Sequence, residues 1–340
     1  MELTLIKELE EFKDNLDWNE LSLNPNAVDY IKKNPNKINW YQLSANEDDK
    51  AIEFLMLNKN KIEWSMLSKN SNNNAIDLLL KNKNKIDWYY FSKNSNKRII
   101  SIIKKYLKDP NNKNKIDWFS FSLNPYAFKI LIKNKKYIQW DYFSQNSNPN
   151  VIKYLKQNPN KINWNMLSLN TSLEAFELLK ENPDKINWIY LSLNTSDHVI
   201  NFLINKYPSK INWSNFSINS NPIVISYLKE NTNKINWYNL SLNTNPLIIN
   251  IIIEYQSYIK KLIHFSRNPN AIQVLLKDMT NINWIQLSKN PAIFTYDYNK
   301  RKEKFNDLNQ EIIEKALHPK RMLRLMETYG EDVIYDCYFN

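Results

Sequence analysis

The sequence predicts an all-α solenoid: a superhelical array of about twelve short helix-turn-helix repeats with helical caps. Three observations carry that expectation. All eleven tryptophans fall in one phrase, K-I-[ND]-W-x-x-[LF]-S-x-N, from Trp18 to Trp284. The spacings between them are 22, 24, 24, 30, 22, 24, 24, 25, 24 and 47 residues. The last gap contains a degenerate unit with Leu262 at the Trp position, which brings the total to twelve. A recurrence in this range marks a stacked array in which no unit buries its apolar face alone.

The frame within each unit follows from comparing the units with one another. Ser always stands four residues after the Trp position and Asn always six after it, as in Ser22 and Asn24 or Ser144 and Asn146. Leu or Phe stands three residues after it. Asp or Asn usually precedes the Trp, as in Asp17 and Asp87, and suits the N-cap of a first helix of one and a half to two turns. A second helix carries apolar residues such as Ala75, Ile76, Leu79 and Leu80, which share one face. It often opens with proline, as at Pro25 and Pro269. Helices this short are marginal alone and must be held by their neighbours. The Trp between Ile and Leu is expected in the core, its indole N–H seeking one partner.

Composition narrows the chemistry. One glycine (Gly330) leaves no glycine-rich phosphate loop. One cysteine (Cys337) excludes a disulfide framework, and three scattered histidines (His198, His264, His318) offer no metal site or triad. No cofactor, metal ligand or catalytic group is therefore assigned. The 56 asparagines are expected to act as caps such as Asn24 and Asn34, taking the left-handed turns that glycine normally makes. A buried asparagine ladder joining successive units is a second structural role open to the same residues.

Three segments follow. Residues 1–14 read as an acidic amphipathic capping helix without the basic start of a signal peptide, 15–295 as the array, and 296–340 as a helical cap in which Gly330 ends a helix. No apolar run approaches a membrane span, so a cytoplasmic monomer is expected, in host cytoplasm or virion if the chain is viral.

The phrase K-I-N-W-x-x-L-S-x-N-P alternating with N-A-I-x-x-L-L resembles a tandem-repeat family of giant DNA viruses of the mimivirus and phycodnavirus kind. The similarity spans about residues 15–295. Asn290-Pro291-Ala292-Ile293-Phe294, then Tyr296-Asp297-Tyr298 and Ala316-Leu317-His318-Pro319-x-Arg321, resemble the close of such proteins. The resemblance implies a repeat scaffold and no catalytic residues.

Function is expected where the units differ. The two residues after each Trp vary, with aromatics at Tyr89, Tyr90, Phe119 and Tyr142. Residues 81–156 hold seventeen Lys and Arg against Asp87, Asp109, Asp117 and Asp141, a net of +13, which exceeds the whole-chain +11. This stretch includes Lys97, Arg98, Lys104 and Lys105 in the 30-residue unit, with a second helix expected over 98–107 and a loop over 109–113. The eight named residues are the candidate partner-binding set. The expected function is a non-enzymatic scaffold for protein–protein interaction. The alternative is RNA or single-stranded DNA binding by the basic central repeats.

Overall fold

The computed structural model describes residues 2–259, 262–296 and 298–339. Lys260 and Lys261 of the degenerate unit, and Asp297, lie outside the described residues. The chain divides into a large unit, Leu5–Phe294, and a smaller one formed by Met1–Thr4 with Thr295–Asn340.

The large unit is the all-α repeat array. Each repeat pairs a short first helix, such as Trp40–Ala45 or Trp164–Ser168, with a second helix, such as Asp49–Leu57 or Leu173–Lys180. A 3-10 turn, such as Pro159–Lys161, leads to the next repeat. The N-caps are as the sequence implies. Asp17 accepts from the Glu20 N–H, and Asn163 accepts from the Met166 N–H. Proline starts a second helix at Pro149 and Pro222, and a 3-10 turn at Pro25, Pro246 and Pro269. In the 30-residue unit the second helix runs Ile99–Tyr106, and the expected loop is a 3-10 helix, Pro110–Lys115.

The asparagines do not take left-handed turns: among the described residues the only positive φ belongs to Gly330, at 92°. Asn24 is extended, with φ −72° and ψ 119°, and its Oδ1 accepts from the Asn26 N–H. Asn58, Asn82, Asn158 and Asn231 close second helices differently, each donating Nδ2 to the carbonyl four residues back. A side-chain donor thus satisfies the orphan carbonyl, and no reversal of φ is needed.

The ladder is the reading that the structure bears out. The buried Asn six residues after each Trp position sends Nδ2 to two carbonyls of the preceding unit, those of its Ser and its Asn. Asn170, for example, donates to Ser144 O at 3.0 Å and to Asn146 O at 2.8 Å. Eleven of the twelve joints carry both bonds, at 2.6–3.3 Å. The exception is Asn124, after the 30-residue unit, which keeps only the bond within its own turn, from the Tyr126 N–H. The buried Ser adds a second rung. Ser44 Oγ donates to Trp40 O and accepts from the Glu63 N–H of the next unit.

The two ends of the array join. Asn24, in the first unit, donates to Ser288 O at 3.0 Å and to Asn290 O at 3.1 Å in the last. Ser288 Oγ accepts from the Asp17 N–H, Lys289 pairs with Glu20 at 3.1 Å, and Phe12 stacks on Trp284. The Ile6 N–H donates to Ile293 O. These are the contacts of an internal joint, so the twelve repeats form a closed ring. The helix expected over 1–14 is replaced by a strand, Leu3–Leu5, and a 3-10 helix, Lys7–Asn15, whose Leu9 is buried. No polar cap is needed where the terminal units cover each other.

First helices approach their ring neighbours more closely than second helices do. Each unit is therefore a wedge, with its first helix at the narrow edge and facing the centre. Twelve helices at about 8–9 Å spacing give an axis-to-axis diameter of about 30 Å, and a bore of about 20 Å inside the side chains.

The tryptophans are mostly half-buried rather than in the core. Several stack on an aromatic of their own second helix, as Trp40 on Phe54 and Trp213 on Tyr227. At Trp18, Trp140, Trp164 and Trp213 the Lys of the next repeat phrase covers the ring. Lys37 lies 5.0 Å from the Trp18 centroid, and Lys185 lies 4.8 Å from that of Trp164. Trp118 alone is buried, and its indole N–H donates to Lys113 O.

The smaller unit contains helices Tyr298–Ala316, Pro319–Tyr329 and Glu331–Phe339, with Gly330 ending the second as expected and the third not foreseen. Among the described residues no helix is long and apolar enough to cross a membrane, and no three His, Cys, Asp or Glu gather as metal ligands.

Candidate functional site

A first helix of four to six residues turns its third and fourth positions after Trp into the joint. The residues one and five after Trp are left toward the bore. The residue directly after Trp is exposed in most units, and in seven it is large and apolar: Tyr41, Tyr89, Phe119, Ile189, Tyr238, Ile263 and Ile285, each 47–57% exposed. Only Tyr89 and Phe119 of these belong to the candidate set. The signal for the others was their position in the phrase, which the central clustering of aromatics obscured.

Neighbouring units hold this wall in place. The Phe119 ring meets Tyr142 of the next unit edge-on at 5.6 Å, and Tyr238 Oη lies 2.8 Å from His264 Nε2. Asn39 donates to Asn19 Oδ1, and Asn163 to Asp141 Oδ1. Tyr89 and Tyr90 stand perpendicular, and Lys93 Nζ lies 4.2 Å from the Tyr89 centroid and 3.4 Å from Asp117. The Tyr89 hydroxyl, and then the Asp117 carboxylate, hold the Lys93 ammonium above its ordinary pKa. Lys93 was not singled out in the sequence, although it lies four residues after Tyr89 and so on the same helical face.

The candidate residues do not form one patch. Tyr89, Tyr90, Phe119 and Tyr142 lie on first helices, whereas Lys97, Arg98, Lys104 and Lys105 lie at or on the second helix Ile99–Tyr106. Arg98 pairs with Asp77 of the preceding unit and donates to Asn73. Charge follows the same division. At the bore-facing positions one and five after Trp, Lys69, Lys93, Arg267 and Lys289 oppose Asp141, and Glu20 at position two beside them brings the net to +2. Within 81–156 only Lys93 and Asp141 occupy such positions, and they cancel. The whole +13 therefore lies on outer helices, turns and caps.

Compared with known protein families, curated proteins and solved structures, the chain matches none.

Proposed function

We propose that the ring is a non-catalytic scaffold that holds a protein partner against its inner wall. The observation that carries this reading is the set of half-exposed Tyr, Phe and Ile side chains directly after the Trp position in seven of the twelve units, on a wall with almost no net charge. Single apolar residues on a surface need no explanation, but exposed Tyr, Phe and Ile recurring at one position of the frame in seven units, three of them consecutive at Tyr238, Ile263 and Ile285, mark an interaction surface. Tyr is also a residue that interfaces favour as an anchor. The partner chemistry that fits is a segment presenting apolar side chains and few charges. A bore of about 20 Å has room for an α-helix of about 10–12 Å diameter. The kinship with the giant-virus repeat proteins, and with it a place in host cytoplasm or virion, rests on the repeat phrase. A closed ring has no free repeat end to stack on, which supports a monomer.

Peptides selected from a random display library against the intact chain test the assignment. Tyr89→Asp and Ile189→Asp, on the inner wall, are expected to weaken the selected peptides at least tenfold. Leu57→Asp, on an outer helix, is expected to leave them within about twofold. Loss of binding with Leu57→Asp and retention with the inner-wall changes would overturn it.

A further inference from the structure

The outer wall carries a site that the scaffold reading does not use. In the 30-residue unit the second helix Ile99–Tyr106 packs loosely on its ring neighbours, as does Phe128–Lys133 of the next unit, whereas Pro149–Lys156 and Leu173–Lys180 pack closely on each other. Between it and the preceding second helix, Asn73–Lys81, lies an open cleft of about 730 Å³. Its floor is Leu80, Ile86, Ile102 and the stacked pair Trp88–Tyr106, with ring planes 7° apart. Lys83, Arg98 and Lys105 stand around it, and no carboxylate lines it. Arg98 is held by Asp77, while Lys83 and Lys105 have no ion pair among the described residues.

The ring supplies its own comparison. The equivalent groove between second helices Pro149–Lys156 and Leu173–Lys180 measures about 310 Å³, and there Glu174 and Glu177 face Lys153 and Lys156. At that joint the charges compensate and the helices nearly close. At the widened joint the helices stay apart and only Arg98 is compensated, by Asp77, while the basic outer wall of residues 81–156 continues beyond it.

We propose that this cleft binds single-stranded nucleic acid, one base entering over the apolar floor while Lys83 and Lys105 hold the flanking phosphates. A basic wall that follows a backbone, interrupted by a flat aromatic recess, is the arrangement that binds such strands without reading sequence. An acidic polypeptide would satisfy the lysines but would leave the aromatic floor without a stacking partner.

The test is a titration of the full chain with a twelve-residue oligothymidylate. Binding is expected at 50 mM salt, with affinity falling at a log–log slope of about −1.4 or steeper, as for at least the two phosphates held by Lys83 and Lys105. Lys105→Glu and Ser101→Glu should each weaken it about tenfold, and an abasic strand of equal length should bind about tenfold more weakly than the oligothymidylate. Lys229→Glu, the same charge reversal on a distant second helix, should change it less than threefold. Absence of binding at low salt overturns the proposal, as do equal losses from Lys105→Glu and Lys229→Glu. Equal binding by the abasic strand or by polyglutamate would show charge attraction alone. Competition by ATP at the same concentration as the oligonucleotide would show a free nucleotide to be the occupant, and would overturn the strand.

Discussion

Asn170→Ala is expected to destabilise the ring by about 3 kcal/mol in urea unfolding, and Asn124→Ala by about 1 kcal/mol. The two residues occupy the same place in the repeat and differ in their bonds. Asn170 is fully buried, with Nδ2 on Ser144 O and Asn146 O and Oδ1 on the Ser172 N–H. Its removal deletes three hydrogen bonds and leaves carbonyls stranded away from water, each costing about 1 kcal/mol or more. Asn124 makes only the turn bond to Tyr126 N, so only that is lost. Equal losses at the two sites would show that the turn, and not the ladder, is what the asparagine column provides.

Asn24→Ala is expected to cost as much as Asn170→Ala, about 3 kcal/mol, because its amide is bonded to Ser288 O and Asn290 O in the last unit. An open array would give a different number. Its first unit would have nothing before it, the Asn24 amide would face water, and only the bond from the Asn26 N–H would be lost, about 1 kcal/mol. Because each unit touches only its neighbours, a change at a true end costs little, and a change at a joint costs the same wherever the joint lies.

Much of the repeat was legible because Trp, Ser and Asn recur at fixed offsets, and a fixed offset in a two-helix unit means a fixed contact. The ladder was legible only as a second role beside the caps. Left-handed caps looked the more natural use of asparagine, yet an amide can donate to a carbonyl four residues back, as Asn82 does to Leu78, and so remove the need for positive φ. Closure was not read, because it depends on a small wedge angle summed over twelve units. One sign of it stood in the sequence all the same. Asp17 and Asn24 at one end, and Ser288 and Asn290 at the other, keep the full joint set, where an open array has atypical ends. The candidate patch divided because sequence proximity says nothing about layer. Tyr89 and Lys97 are eight residues apart, and a chain reversal at Asn94 sends them to opposite walls.

Zero-length carbodiimide coupling, followed by peptide mass analysis of the monomer fraction, tests closure most directly. Glu20 and Lys289 are 269 residues apart in sequence and 3.1 Å apart in the ring, and Lys93 with Asp117 at 3.4 Å serves as the internal-joint control. The closed ring predicts an intramolecular Glu20–Lys289 link alongside the Lys93–Asp117 link. A monomer that carries the Lys93–Asp117 link and lacks the Glu20–Lys289 link would contradict it.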